Sequence, residues 1–189
     1  MSLRNTVAVV FKVIIISTLL MATVATAVNI GIAFSTKDKV DSLASIMKTE
    51  LSKNNVILLD SLDEYSKQLA AIGASSGNIY VLDSVEIVTK DESGTEHIVT
   101  IIDGHPDDTS NLNGFNVIGK PDIADAFKAS TKESEYYTKC TGNYGEFVTL
   151  RLNYRISYVF RLWGAEHHRK IMTSDVSFDY TVPCLRYMK

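Results

Sequence analysis

The polar and apolar positions of this chain divide it into an apolar opening and a body in which the two kinds alternate. The opening run, Val13 to Phe34, contains no ionisable residue. As a helix with a rise of about 1.5 Å per residue, such a run spans the roughly 30 Å hydrocarbon layer of a bilayer. No second run of this kind follows. The pattern predicts a membrane segment in residues 1–34 and a polar domain in residues 35–189.

Two helical stripes follow the apolar run. Apolar residues between Lys37 and Leu51 recur at spacings of three and four, which is typical of a helix with one buried face. After Gly31, neither Pro nor Gly occurs before this stripe, so we predict one continuous helix from Val13 to Leu51 that breaks near Asn54–Asn55. A second stripe covers Leu59–Ile72, and Gly73 is predicted to end it as a left-handed cap.

The period then changes to that of β-strands. Ile79–Val88 and His97–Ile102 flank a turn-forming segment, residues 91–94, which predicts a hairpin. Val148–Phe160 and Val176–Val182 alternate apolar with polar residues, as antiparallel strands do when one face lies on a core. Helices that precede antiparallel strands predict an α+β fold.

Shorter elements are predicted between these strands. Asn113–Gly114 is typical of a turn, and Pro121 favours the start of a short helix over Ile123–Phe127. Trp163–Lys170 is predicted to connect the last two strands.

Charge and motifs narrow the functional classes. The formal net charge is -3 and the pI is near 5.8, which argues against nucleic acid as a partner because a polyanion requires a basic face. The sequence contains neither a Gly-x-Ser-x-Gly elbow nor a phosphate-binding glycine loop. We therefore predict no cofactor and no catalytic activity.

Two polar clusters contain residue types that bind metals. The first comprises Asp103, His105, Asp107 and Asp108, but its spacing matches no calcium loop, and its Gly and Pro residues favour a surface turn. The second, His167–His168, places its side chains on opposite faces of an extended segment, which suits a solvated loop better than a metal site. Neither cluster predicts a metal site.

The two cysteines and the nearby tyrosines lie in the polar body. A disulfide between Cys140 and Cys184 suits an oxidising compartment, and antiparallel pairing of the last two strands brings these positions near each other. The alternative is a pair of buried free thiols. Tyr136, Tyr137 and Tyr144 flank Cys140 and form either a contact surface or part of the core.

The apolar run has two interpretations. Ala25 and Ala27 form an Ala-x-Ala pattern, after which signal cleavage would leave Val28 as the first residue. The run continues to Phe34, however, and is longer than an ordinary signal h-region of about 7–15 residues. We therefore predict a retained single-pass anchor, with the N-terminus cytoplasmic and the domain outside the cell membrane.

Small residues in the apolar run favour helix packing. Ala27 and Gly31 lie four residues apart on one helix face and form a small-xxx-small pattern. The pattern predicts lateral association with lipid-embedded helices, although a monomeric anchor has small residues as well.

An apolar helix that continues as an amphipathic helix before a β-rich body resembles pilin-like proteins, most closely the TadE-like minor pseudopilins of surface appendages and secretion systems. The resemblance is in the order of the elements and extends over the whole chain. In that family the apolar half, here Val13–Phe34, packs into a filament or stays in the membrane, while the amphipathic half, here Lys37–Leu51, lies on the sheet. Type IV pilins typically carry a glutamate early in the mature helix, whereas no acidic residue here precedes Asp38.

The resemblance implies a non-catalytic structural or assembly component of such a system. Its partners would be membrane lipid and other pilin-like subunits or assembly proteins. The alternative is a tethered or secreted binding module that captures a ligand through a sheet face or the tyrosine-rich loop.

Overall fold

The computed structural model describes residues 3–77, 79–90, 93–104, 116–118, 132–160 and 169–186. These residues form an α+β fold, as predicted. The helices are α1 (Leu3–Asn54), α2 (Leu59–Ser75) and α3 (Lys132–Cys140). The strands are β1 (Tyr80–Lys90), β2 (Glu96–Asp103), β3 (Asn116–Val117), β4 (Phe147–Phe160) and β5 (Arg169–Pro183).

The first helix runs without a break from the apolar opening into the body. α1 covers 52 residues, so the predicted continuous helix from Val13 to Leu51 is confirmed. It ends at Asn54, and Asn55 takes a left-handed backbone with φ 62°. Asparagine tolerates this conformation better than most residues. The predicted break at Asn54–Asn55 is therefore confirmed.

The second helix runs past the glycine that was predicted to end it. α2 continues to Ser75, and Gly77, with φ 64°, takes the left-handed position instead of Gly73. The amide of Ser76 still bonds to the carbonyls of Ile72 and Gly73, which keeps the last turn helical. The prediction of a Gly73 cap is wrong because a glycine inside a helix is tolerated at modest cost.

The sheet has the strand order β3-β2-β1-β4-β5 within the described residues. Its four long strands pair antiparallel, and the short β3 pairs parallel with β2. The predicted hairpin and the two late strands are therefore confirmed, but β5 begins at Arg169, within the predicted connection. The predicted turn at Asn113–Gly114 and the predicted helix over Ile123–Phe127 lie outside the described residues.

α1 and α2 cover the same face of the sheet, which makes a two-layer arrangement around one core. The buried apolar side chains of the helices are Val40, Leu43, Ala44, Met47, Leu51, Leu59, Leu62, Tyr65 and Leu69. The sheet contributes Tyr80, Leu82, Val85, Ile87, Val148, Leu150, Leu152, Tyr154 and Ile156. Their alternation along β1 and β4 is the one that the sequence predicts for strands with one buried face.

Polar side chains connect neighbouring strands on the opposite face of the sheet. Arg151 donates from Nε to Oδ1 of Asp179 at 2.9 Å, and the hydroxyls of Thr149 and Thr181 lie 2.8 Å apart. The side chains of each cross-strand pair satisfy one another's hydrogen-bonding groups, and the outer face of the sheet is therefore hydrophilic.

Candidate functional site

The apolar half of α1 projects from the folded body with its side chains exposed. Val13 is 55% exposed and Phe34 is 67% exposed. Within the described residues, α1 is the one helix long and apolar enough to cross a membrane. The prediction of an apolar segment of membrane-spanning length is therefore confirmed as a property of the helix.

The hydroxyl groups in this half of the helix bond to the helix itself. Thr18 donates to the carbonyl of Ile14 at 2.8 Å, and Thr23 and Thr26 make the same contact one turn back. A hydroxyl satisfied in this way does not need water. These threonines are therefore compatible with a hydrocarbon environment, where an unpaired polar group is costly.

The apolar half joins the body without a linker. Ile32 and Ala33, which still belong to the apolar run, pack against the core, and Thr36 is only 2% exposed. Because burial begins before the apolar run ends, the helix that would enter the membrane is rigidly joined to the domain.

A polar cluster fixes α1 to β5 immediately after this junction. The Asp41 carboxylate accepts hydrogen bonds from the ammonium of Lys37 and the hydroxyl of Tyr180. The same ammonium lies 5.6 Å from the ring centroid of Phe178, within the range of a cation–π contact. The i,i+4 spacing of Lys37 and Asp41 is visible in the sequence, but their contacts with β5 are not.

Two opposing influences act on the ionisation of Asp41. Partial burial disfavours the charged carboxylate, but hydrogen bonds from Lys37 and Tyr180 favour it and outweigh burial, so the pKa of Asp41 is lowered. The Asp41 hydrogen bond in turn raises the pKa of Lys37. This junction is therefore built around a carboxylate that stays ionised.

A second carboxylate of α1 holds the start of α2. Glu50 accepts hydrogen bonds from the amide of Leu58 at 2.9 Å, from the hydroxyl of Ser61 at 2.9 Å and from the hydroxyl of Tyr65. Leu58, the N-cap residue of α2, makes no side-chain cap of its own. Glu50 therefore supplies an acceptor for the N-cap amide and a negative charge at the positive end of α2.

The far end of α1 is fixed to the end of β5. The hydroxyl of Ser52 donates to the carbonyl of Pro183 at 2.8 Å, and the amide of Leu185 donates to the carbonyl of Ser52 at 3.0 Å. The side chain of Asn55 both donates to the carbonyl of Arg186 and accepts from its amide. Together with the junction at Lys37, these contacts show that α1 and β5 run in the same direction.

The cysteines are free, so the predicted disulfide between Cys140 and Cys184 is not formed in this structure. Both side chains are buried, which is the alternative that the sequence left open. Burial raises the pKa of Cys140 to about 12 and also raises the pKa of Cys184. Nucleophilic attack requires a thiolate, so neither thiol is in an activating environment.

Of the two polar clusters noted in the sequence, only Asp103 lies among the described residues. Asp103 ends β2 with 8% exposure, and its carbonyl accepts from the amide of Ile118 at 3.0 Å. The cluster members His105, Asp107 and Asp108, together with His167–His168, lie outside the described residues. Among the residues that are described, no group of three or more His, Cys, Asp or Glu side chains is arranged to hold a metal.

The three tyrosines near Cys140 occupy different environments. Tyr136 is fully buried and donates its hydroxyl to the carbonyl of Ile57 at 2.6 Å, and Tyr137 is half-buried against it. Tyr144 is 59% exposed. Of the two alternatives that the sequence left open, core packing therefore applies to Tyr136, and Tyr144 is exposed.

Two apolar residues that the sequence did not single out lie close to Tyr144 in the fold. Phe147 is 67% exposed and Leu185 is 62% exposed. Hydrogen bonds of Cys184 with Gly145 and Glu146 bring the two segments together at the end of the sheet farthest from the apolar helix. We call Tyr144, Phe147 and Leu185 the distal patch. Phe147 and Leu185 are each isolated in their local patterns, so no sequence signal identifies them, whereas Tyr144 belongs to the tyrosine group noted in the sequence.

The predicted packing residues lie on the open part of α1. Ala27 is exposed, and a Cβ added at Gly31 would have no atom within 4 Å. Space for a neighbouring helix is therefore present at both positions. Comparisons of the chain with protein-family models, curated proteins and solved structures find no match.

Proposed function

We propose that this protein is a membrane-anchored, pilin-like subunit with a structural or assembly role in a surface appendage or secretion system, and that it has no catalytic activity. The observation that carries the proposal is the division of α1 into two halves. The first half projects with exposed apolar side chains, and the second is buried on an antiparallel sheet. This is the arrangement that the resemblance to TadE-like pseudopilins implies.

The details of the two halves support an anchor rather than a secreted domain. The threonines of the apolar half bond to their own helix, and the junction has no linker. Cleavage before Val28 would remove most of the apolar run but leave Ile30 and Phe34, which are 46% and 67% exposed, in water. A retained anchor removes these side chains from water, with the N-terminus on the cytoplasmic side and the domain outside the cell membrane.

Membrane fractionation with N-terminal sequencing of the mature protein tests the anchor. We expect the protein in the membrane fraction after alkaline carbonate extraction, with the residues before Val28 still present. A soluble form that begins at Val28 would contradict the anchor. Co-purification with a filament or a membrane assembly is the expected result for a structural subunit.

The assembly role depends on contacts made by the exposed helix. In lipid, small residues allow helices to approach closely, and Gly31 has the open space that such contact requires. Gly31→Leu should therefore weaken crosslinking between subunits without changing the circular dichroism of the domain. Val28→Leu, which enlarges an already large exposed side chain, is the matched control. Equal crosslinking of both variants would rule out packing through Gly31.

The distal patch supports a second candidate function, a tethered binding module. Tyr144, Phe147 and Leu185 present aromatic and aliphatic surface at the end of the domain that faces away from the anchor. Aromatic side chains are enriched where proteins bind partners. A triple serine variant of the patch should lose partner capture while remaining in the membrane fraction. If it assembles and binds as the unmodified protein does, the binding-module alternative is wrong.

A further inference from the structure

A groove lies between α1 and α2 on the outer surface of the helical layer, with a volume of about 700 Å³. Its lining includes Ser35, Ser42, Leu43 and Ile46 of α1 and Ala71 and Ile72 of α2. α2 starts beside Glu50 and runs back along α1, so one end of the groove lies next to the apolar half of α1. Along α1 the groove extends for about three helical turns, or about 16 Å.

The groove exposes apolar surface that the core of the domain does not use. Ile46 is 54% exposed and Ile72 is half-buried, whereas Leu43 contributes a nearly buried part of the lining. On the other side of α1, Met47 is fully buried in the core. An apolar groove with a polar rim is the kind of surface to which a further helix docks.

The face of α1 that lines the groove continues into the apolar half of the helix. Ser35 follows Gly31 by four residues, and Gly31 follows Ala27 by four, so the three lie on one side of the helix. α1 is unbroken from Leu3 to Asn54, so both parts of this face keep their alignment. A second copy of α1 that packs on Gly31 in the bilayer therefore meets the groove with its own amphipathic half.

Two exposed residues of opposite charge, Asp38 and Lys39, also line the groove. Because they are consecutive, their side chains leave the helix about 100° apart and at nearly the same height. Neither forms an ion pair in the part of the chain that the structure describes, whereas the neighbouring Lys37 is bonded to Asp41. The groove therefore carries one charge of each sign, and both are available to a partner.

This pattern is complementary to itself when two copies of α1 lie side by side and parallel. Around the helix, Ser35 and Ser42 lie midway between Asp38 and Lys39, so they mark a line along which two helices can approach. When a two-fold axis runs parallel to both helices, the side of one copy that carries Asp38 faces the side of the other that carries Lys39. Anchors in one bilayer share a direction, so a parallel arrangement is the one that the membrane imposes.

We propose that the groove binds α1 of a second copy of this chain, in a parallel two-fold dimer in which Asp38 of each copy pairs with Lys39 of the other. The inference deepens the proposed function and rests on it, since the anchor gives both helices their common direction. Apolar contacts and helix packing supply the affinity, and the two charge pairs set the register. The exposed groove residues lie outside the core, so substituting them should leave the domain folded.

Cysteine crosslinking in vesicles tests the dimer. Full-length protein with Ser42→Cys is reconstituted and oxidised with copper phenanthroline, while the two native thiols are buried. Ser42 lies close to the proposed two-fold axis, so the two new sulfurs come within disulfide range and we expect a product of twice the chain mass. Ser134→Cys, at an exposed serine of α3 outside the groove, is the matched control and should give only the background of random collisions.

Charge exchange tests the register. In the Ser42→Cys background, Asp38→Lys turns both attractive pairs into repulsive ones and should weaken association about tenfold, measured by crosslinking over a series of lipid-to-protein ratios. Lys39→Asp should have the same effect. Asp38→Lys combined with Lys39→Asp places opposite charges across the axis again and should restore crosslinking. Glu135→Lys makes the same change of charge on the exposed side of α3 and should leave crosslinking unchanged.

Flotation of the same vesicles distinguishes failure of the dimer from failure of the anchor. If the protein floats but Ser42→Cys crosslinks no better than Ser134→Cys, or the double exchange does not restore crosslinking, the dimer is wrong and the anchor stands. A crosslinked product in native membranes whose mass is not twice that of the chain shows a different occupant and also contradicts the dimer. If the protein does not float, the anchor is wrong and the parallel dimer falls with it.

Discussion

The two halves of α1 are continuous in backbone but opposite in environment. In the apolar half, side chains on every side of the helix are exposed, such as Ile16 at 62% and Leu20 at 65%. In the amphipathic half, Met47 is fully buried while its neighbour Ile46 is 54% exposed. The first half is apolar all round and needs an apolar surrounding, whereas the second needs only one covered face. The distribution of apolar residues around a helix thus indicates its environment better than their number does.

The largest expected effect comes from the buried stripe of the amphipathic half. Met47→Ala removes a fully buried side chain and should lower the free energy of unfolding by about 2–5 kcal/mol, because it loses burial and leaves a cavity. Ile46→Ala and, in the apolar half, Ile16→Ala should change it by less than about 0.5 kcal/mol. Urea unfolding in detergent, followed by circular dichroism, measures all three. A large effect of Ile16→Ala would contradict the division of α1.

A smaller loss is expected at the carboxylate that holds α2. Glu50→Ala leaves the amide of Leu58, the N-cap residue of α2, and the hydroxyls of Ser61 and Tyr65 without this acceptor, and charge-assisted hydrogen bonds of this kind are among the stronger ones. We expect a loss of about 1–3 kcal/mol. Glu64→Ala, on the exposed side of α2, is the matched control. Equal unfolding midpoints for the two variants would show that α1 contributes only apolar contacts to α2.

The smallest effect is expected at the junction between the halves. Asp41→Asn weakens the contacts with Lys37 and Tyr180 in a cluster that is partly exposed and screened by solvent, so we expect a loss of about 0.5 kcal/mol at neutral pH. Asp38 lies on the exposed side of the same turn, so Asp38→Asn should leave the free energy of unfolding unchanged.

The junction also predicts a pH dependence. The pKa of Asp41 is lowered in the folded protein, so its contribution is fully present above the ordinary aspartate value of 3.8 and is lost as the pH falls through the lower folded value. The difference in stability between the unmodified protein and Asp41→Asn should therefore be constant at neutral pH and shrink below about pH 4. A difference that grows with acid would contradict the assignment.

The sequence predicted the elements well where their signals are local. The continuous α1, the break at Asn54–Asn55 and the alternating strand β4 depend on residue spacing within one segment, so they are readable from the chain. The cap at Gly73 was predicted from the same kind of signal and was wrong, since helix propensity around the glycine allowed one more turn. The free state of Cys140 and Cys184 also differs from the preferred prediction.

The sequence by itself determined the class of the fold, the exposed apolar half of α1 and the helix-before-sheet order. Only the tertiary structure decided that Asp41 meets Tyr180, that Glu50 caps α2 and that β4 and β5 extend beyond β1 towards the apolar helix. The reason is physical. Periodicity reflects which face of one element is buried, whereas these contacts depend on the register and direction in which separate elements pack.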